Sequence, residues 1–208
     1  METLKKLIIE KKYRSIVIEE KLVGELFCSS GKIAFSGPFE CFAENPAILN
    51  LEVPRDRALK IFQGYQKMKK LNREKVLYAR IELSDDVITE FAPGSTVENA
   101  VLPWKGWDAW DSQLPGETYI GFCDNDILVQ IDSYVKKTLK SNYRKIAEIL
   151  EQQKFAEAGQ FVMLKIGDHS FCGGYSSEAQ FTLFLGLNSS KKPCSIIIDT
   201  GEAKSRVF

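Results

Sequence analysis

Apolar and polar side chains alternate along several segments of the chain, a period that is typical of β-strands. In residues 75–83 the apolar side chains of Leu77, Ala79, Ile81 and Leu83 share one face, whereas Arg80 and Glu82 lie on the other. Residues 58–66 precede this segment across a basic loop, and we predict that the two segments form a hairpin. A helix over residues 57–71 is the alternative interpretation, although its apolar stripe is broken.

Further β-prone segments lie on both sides of the middle of the chain. The turn residues 29–31 separate segments 22–28 and 32–35, and this arrangement predicts a hairpin. Residues 181–187 and 195–199 predict another hairpin near the end of the chain. Other short β-prone runs are residues 15–19, 118–123, 127–131 and 161–166.

One long amphipathic helix is predicted at about residues 133–153. Its apolar residues recur at three- and four-residue steps: Val135, Leu139, Tyr143, Ile146 and Leu150. Either Asp132 or Ser133 is expected to cap its first turn. Strands before and after a single helix favour an α+β fold, with mostly antiparallel β-sheets on which the helix packs.

The length and composition predict one globular domain over residues 1–208. A chain of 208 residues, 44% hydrophobic and 27% charged, is long enough to bury one sizeable core. Residues 91–117 show no apolar period and are rich in proline, glycine and polar residues. We therefore expect them to form an ordered loop or an insertion.

The charge balance limits the classes of partner. Lys and Arg together number 28, as do Asp and Glu, so the chain has no net field that would attract nucleic acid. No apolar run approaches the roughly 18 residues of a membrane-spanning helix, and the N-terminus does not resemble a signal peptide. We expect a cytoplasmic protein that binds neither nucleic acid nor membrane.

The thiols and the single histidine offer little catalytic chemistry. The five cysteines are scattered without a Cys-x-x-Cys pair, so we expect reduced thiols, no metal and no cofactor. His169 lies between Asp168 and Ser170, but neighbouring side chains on a strand point to opposite faces. A turn or surface histidine is favoured over a catalytic one. Gly173 and Gly174 lack the residues of a phosphate loop and favour a tight strand connection.

A group of acidic residues is the one candidate for ion binding or acid–base chemistry. Asp124, Asp126 and Asp132 are close in sequence, and carboxylates are ligands for hard cations. The calcium-loop pattern fails, because Val129 and Val135 stand where glycine and glutamate are needed. The alternative is that Asp124 and Asn125 form a turn and that Asp132 or Ser133 is the helix cap.

All three tryptophans lie within the predicted loop, at Trp104, Trp107 and Trp110. Large rigid aromatic side chains dominate the energetics of many interfaces, so this cluster is a candidate anchor for a partner. The alternative is that the indoles close one end of the core. We expect a mixture, because three rings within seven residues can hardly all point in one direction.

The order of these short motifs resembles a bacterial family, domain of unknown function 4241. The matching residues of the first half are Gly24-Glu25-Leu26, Ser30-Gly31-Lys32-Ile33, Pro38, Pro54 and residues 79–85. Those of the second half are residues 119–124, Asp132, Gly173-Gly174-Tyr175, Gly186-Leu187-Asn188 and Ile197-Ile198-Asp199. The chain departs from the family at Gly37 and Asn188, where the family has aspartate. The resemblance marks Asp124, Asp132 and Tyr175 as candidate binding residues and implies a bacterial source.

Two functions are open at this point. The first is a non-enzymatic module that binds another protein, as an immunity or accessory factor does, with the tryptophans as anchor. The second is a small-molecule or metal-dependent hydrolase or ligand binder that uses Asp124, Asp126 and Asp132. The first is favoured, because no complete catalytic motif is present.

Overall fold

Two antiparallel sheets form most of the molecule. The computed structural model describes residues 2–13, 16–36, 47–55, 57–68, 73–97, 119–140, 142–153, 160–175 and 181–201. Every strand pair within these residues is antiparallel. The predicted β-rich, antiparallel character is confirmed.

The larger sheet has seven strands. In spatial order they are β1 (Lys12–Tyr13), β2 (Ile16–Phe27), β5 (Ala58–Met68), β6 (Arg73–Glu82), β13 (Pro193–Asp199), β12 (Thr182–Leu187) and β7 (Glu90–Pro93). The smaller sheet has six strands. These are β10 (Val162–Ile166), β11 (His169–Tyr175), β9 (Tyr119–Asp124), β3 (Ile33–Ser36), β4 (Ala47–Leu49) and β8 (Thr96–Val97).

The helices are few and short. The chain begins with α1 (Glu2–Leu4) and a π-helix (Lys5–Ile9), and the middle of the chain contains α2 (Asn125–Lys137) and α3 (Tyr143–Gln152). No helix among the described residues has the length and apolar character needed to cross a membrane.

The two sheets face each other across the main core. Met163 of β10 lies against Gly24 of β2, where an added Cβ would come within 2.5 Å of its side chain. Gln63 of β5 accepts a hydrogen bond from the backbone N–H of Phe161 at 2.9 Å, next to β10. The helices α2 and α3 contact strands of the six-stranded sheet. Since Met163 faces the larger sheet, the helices pack against the opposite face of the smaller sheet.

The N-terminal segment covers part of the outer face of the seven-stranded sheet. Leu4, Leu7 and Ile8 are buried in a second, smaller core that also contains Phe91 and Ile197. Each of these strand residues is at least 93% shielded from solvent, which is why the sheet carries apolar residues on both of its faces here.

The two hairpins with clear alternation are confirmed. β5 and β6 pair with Ile61 opposite Ile81, and β12 and β13 pair with Leu183 opposite Ile198. All four of these side chains are buried in the main core.

The prediction of one long helix over residues 133–153 is wrong, because α2 ends at Lys137 and α3 begins at Tyr143. Lys140 between them has φ of 51°, and Asn142 caps α3 by accepting a hydrogen bond from the N–H of Lys145 at 3.3 Å. The predicted stripe is nevertheless buried: Val135 lies on α2, Ile146 and Leu150 lie on α3, and Leu139 lies in the connection between the two helices.

Three other local predictions are wrong. Residues 127–131 belong to α2 rather than to a strand. Segments 22–28 and 32–35 do not form a hairpin, because β2 pairs with β5 whereas β3 pairs with β9 in the other sheet. Gly173 and Gly174 do not connect strands but lie within β11, where they pair with β9.

The predicted loop at residues 91–117 is described only in its first part. There, β7 and β8 occupy residues up to 97, and residues 98–117 lie outside the described residues.

Candidate functional site

Asp124 is a buried carboxylate at the N-terminus of α2. Its Oδ1 accepts hydrogen bonds from the backbone N–H groups of Asp126 at 2.9 Å and Ile127 at 3.4 Å. Its Oδ2 accepts hydrogen bonds from the N–H of Ser30 at 2.9 Å and from its hydroxyl at 2.6 Å. The thiol of Cys28 donates a further bond to Oδ2 at 3.1 Å. Asp124 therefore caps α2 and connects the start of this helix, through hydrogen bonds, to the turn that follows β2.

These contacts set the protonation states of the two buried groups. Burial acts to raise the pKa of Asp124, but the hydrogen bonds from Ser30 and Cys28 outweigh it, and the pKa lies below its ordinary value. Burial, together with the hydrogen bond to Asp124, raises the pKa of Cys28 to about 12. The thiol is therefore protonated at neutral pH and acts as a donor, not as a nucleophile.

The other two acids lie apart from Asp124. Asp126 is exposed in the first turn of α2, and Asp132 forms an ion pair with Lys136 at 3.0 Å. At a rise of about 1.5 Å per residue, Asp132 lies roughly 12 Å further along the helix axis than Asp124. The prediction that Asp132 or Ser133 caps the helix is wrong, since both residues lie inside α2. Within the described residues, no three histidine, cysteine or acidic side chains form a group that could hold a metal ion.

The remaining candidates from the sequence are dispersed. Tyr175 is the last residue of β11, and its backbone pairs with Tyr119 of β9. Trp104, Trp107 and Trp110 lie outside the described residues, so the anchor remains a prediction. His169 is the half-buried first residue of β11, opposite Ile166. Cysteines 28, 123, 172 and 194 are free and buried, and Cys41 lies outside the described residues.

A cleft of about 580 Å³ opens between the two sheets. One wall is residues 51–55, which follow β4 of the smaller sheet. The other wall is formed by Leu83 after β6 and by Lys192 and Pro193 at the start of β13. Its volume lies in the range of about 300–1,000 Å³ that is usual for ligand clefts.

Backbone hydrogen bonds fix both walls of the cleft. Val53 donates its N–H to the carbonyl of Gly31 at 2.9 Å. Leu83 donates its N–H to the carbonyl of Cys194 at 2.9 Å, and the guanidinium of Arg57 bonds the carbonyl of Leu83. The walls therefore belong to ordered parts of the two sheets.

The floor of the cleft is apolar and its rim is charged. Val53 and Leu83 are 2% and 6% exposed, and Leu51, Pro54 and Pro193 complete the apolar lining. The three charged lining residues are Glu52, Arg55 and Lys192.

Arg55 is held in place by two neighbours. Its guanidinium pairs with the carboxylate of Glu52. Its side chain also lies on Gly31, where an added Cβ would come within 2.6 Å of its Nε. Gly31 has φ of 74°, a conformation that glycine adopts without strain. The same turn therefore contributes Ser30 to the Asp124 contacts and Gly31 to the support of Arg55.

The backbone of Lys192 is positioned by a turn that Asn188 organises. The side-chain oxygen of Asn188 accepts hydrogen bonds from the N–H groups of Ser190 and Lys192, each at 3.0 Å. Its amide nitrogen donates to Asp86 at 2.8 Å. Hydrogen bonds from Asn188 and Ser84, and the nearby charge of Lys192, hold the pKa of Asp86 below its ordinary value.

The side chains that line the cleft are apolar, acidic or basic. Its eight described lining residues include one carboxylate, which pairs with Arg55, and contain no hydroxyl, thiol or imidazole side chain. Sequence reasoning missed this site, because its residues come from separate parts of the chain. The only local indications were Pro54 and Pro193, each beside a basic residue.

No family model, curated protein or solved structure matches the chain. The resemblance to domain of unknown function 4241 therefore stays a prediction. The candidate site depends on the geometry of this chain alone.

Proposed function

We propose that the protein is a non-enzymatic module of the cytoplasm that binds another protein, in the manner of an immunity or accessory factor. The observation that carries the proposal is the cleft between the sheets, with an apolar floor formed around Val53 and Leu83 and a charged rim. Protein interfaces combine these two features, an apolar centre that excludes water and a polar rim.

The environment of Asp124 supports binding over hydrolysis. A general acid or base must be able to exchange a proton with a substrate, but the hydrogen bonds that Asp124 accepts come from structural donors on Ser30, Cys28 and the first turn of α2. The tryptophans at Trp104, Trp107 and Trp110 remain a second predicted contact region of the same module.

Reconstitution of a partner complex tests this function. The tagged chain is used to capture proteins from its own host, the captured protein is purified, and binding is measured by calorimetry with the wild type. We expect a stoichiometric complex. Arg55→Glu combined with Lys192→Glu should weaken it by at least about tenfold, since charge reversal at a desolvated contact costs more than about 1.4 kcal/mol.

Arg144→Glu is the matched control, because the Arg144 side chain is 88% exposed on α3 and does not line the cleft. It should leave affinity unchanged. Trp107→Ala in the same assay measures whether the aromatic loop contributes a further contact. The proposal would be contradicted if none of the captured and purified proteins bound the wild-type chain. It would also be contradicted if the wild-type chain hydrolysed a small-molecule ester, amide or phosphate.

A further inference from the structure

We infer that the side chain of Gln153 takes the place of a neighbouring strand at the open edge of β10 and so prevents a second copy of the chain from pairing there. This inference goes beyond the proposed function and does not depend on the cleft. Three observations support it: the position of β10 in its sheet, the hydrogen bonds between Gln153 and Lys165, and the apolar sequence of β10.

β10 lies at one edge of the six-stranded sheet. Among the described residues its one strand neighbour is β11, which pairs with it from Val162 to Ile166. A strand with a neighbour on only one side directs half of its backbone N–H and C=O groups away from the sheet. Such an edge can add a strand from another chain, and natural proteins protect their edges against this pairing.

Gln153 satisfies two of these outward groups at Lys165. The N–H of Lys165 donates a hydrogen bond to Oε1 of Gln153 at 2.7 Å, and Nε2 of Gln153 donates one to the carbonyl of Lys165 at 2.8 Å. In an antiparallel sheet, a residue of the neighbouring strand exchanges the same two kinds of bond with the residue opposite. The side-chain amide of Gln153 therefore occupies the bonding position of an added strand.

The helix α3 holds this amide in place. Gln153 directly follows α3 and donates its backbone N–H to the carbonyl of Leu150 at 3.1 Å. Its Nε2 also donates to the carbonyl of Ile149 at 3.1 Å. Leu150 and Leu164 of β10 are both buried in the main core. The end of the helix is therefore anchored beside the strand edge that its last side chain covers.

The sequence of the edge favours a second copy of the same strand as its occupant. Residues 161–166 contain five apolar residues and one lysine, with neither proline nor glycine. Short β-prone segments of low charge pair readily with identical segments. Because backbone directions alternate, the N–H and C=O of Met163 point to the same side as those of Lys165. In an antiparallel pair centred on Leu164, each Met163 lies opposite Lys165 of the other copy, so the two lysines do not face each other directly.

Sedimentation velocity over a roughly hundredfold range of protein concentration tests the inference. Gln153→Met keeps the length of the side chain and removes both hydrogen bonds to Lys165. We expect this variant to form a dimer with a Kd at least about tenfold lower than that of any wild-type dimer, since pairing no longer has to break two hydrogen bonds. Gln152→Met, at the exposed neighbour of the same type, is the matched control and should sediment as the wild type does.

Hydrogen exchange locates the contact within the molecule. The amide of Lys165 should exchange slowly in the wild type, because Gln153 accepts its hydrogen bond. In dilute Gln153→Met it should exchange at least about tenfold faster, and at high concentration the amides of Met163 and Lys165 should both become protected. Adding Lys165→Pro to Gln153→Met should restore the monomer, because proline cannot donate a hydrogen bond to a second strand.

The inference would be overturned if Gln153→Met sedimented as the wild type does at every concentration. A dimer that Gln152→Met also forms, or one that leaves the amides of Met163 and Lys165 unprotected, would overturn it as well. If Gln153→Met does not fold, exchange in the wild type decides: an amide of Lys165 that exchanges as fast as in an unstructured peptide contradicts the role of Gln153. None of these measurements involves the cleft, so the protein-binding function is tested separately by calorimetry.

Discussion

Neighbouring residues of one turn contribute to the contacts of Asp124 and to the cleft, but the charged groups of these two regions have opposite roles. Ser30 and Cys28 donate hydrogen bonds to a carboxylate that is fully shielded from solvent. At the next residue, Gly31 supports Arg55, whose side chain is 55% exposed. A buried charge with its bonding capacity filled stabilises the fold, whereas an exposed, pre-positioned charge is available to a partner.

Removal of the buried carboxylate should have the largest effect on stability. Asp124→Ala deletes a helix cap, worth about 1 kcal/mol, and leaves buried donors unpaired at about 1–3 kcal/mol. We therefore expect a loss of about 3 kcal/mol in the free energy of unfolding, measured by urea denaturation. Asp126→Ala, at an exposed acid of the same turn, should cost less than about 0.5 kcal/mol. Similar losses in the two variants would show that the contacts of Asp124 contribute little.

The turn shared by the two regions should link them. Gly31→Ala places an L-residue at φ of 74°, which costs roughly 1–2 kcal/mol, and its Cβ displaces the side chain of Arg55. We expect a lower melting temperature together with weaker binding of the captured partner. Ala34→Gly, in β3 after the turn, is a control that should lower stability without altering partner affinity. Unchanged partner affinity in Gly31→Ala would show that the turn does not link the two regions.

Acid should remove the contribution of Asp124. Because the pKa of Asp124 is lower in the folded protein than in the unfolded chain, its stabilisation is present above the unfolded value of about 3.9. It is lost as the pH falls through the folded pKa. The difference in unfolding free energy between wild type and Asp124→Ala should therefore shrink between about pH 6 and about pH 3. A difference that stays constant over this interval would contradict the role of the charge.

The rim charges should have the smallest effect on stability. Arg55→Gln and Lys192→Gln should each change the free energy of unfolding by less than about 0.5 kcal/mol, since exposed ion pairs contribute little. Urea denaturation of both variants at neutral pH measures this. If either variant lost more than about 1.5 kcal/mol in the free energy of unfolding, its side chain would stabilise the fold, as Asp124 does, rather than form part of a binding surface.

Local patterns predicted the parts of the fold that depend on neighbouring residues. The β5–β6 and β12–β13 hairpins pair segments that follow each other directly, and their alternation fixes which face is buried. The helical stripe was predicted but not its interruption, because Val135, Leu139, Ile146 and Leu150 keep helical spacing although Leu139 lies between the two helices. Asn142, a good capping residue within the stripe, was the available indication of a new helix start.

The parts that depend on distant residues were not predictable in this way. The residues after β2 resemble a hairpin turn, but Ser30 bonds to Asp124 in another part of the chain, and β3 enters the other sheet. The cleft is likewise lined by Arg55, which follows β4, and by Lys192, which precedes β13 of the other sheet. Sequence periodicity contains no information on which distant residues lie close together. It therefore indicated the acidic residues as candidates but gave no indication of the cleft.

Hydrogen exchange of the chain with and without its captured partner tests the central contrast most directly. We predict slower exchange at the amides of Leu51, Glu52, Arg55 and Lys192 in the complex, because these residues form the cleft. Exchange in the first turn of α2, next to Asp124, should be unchanged. Slower exchange confined to that turn, with the cleft amides unaffected, would contradict the assignment of binding to the cleft and of Asp124 to the fold.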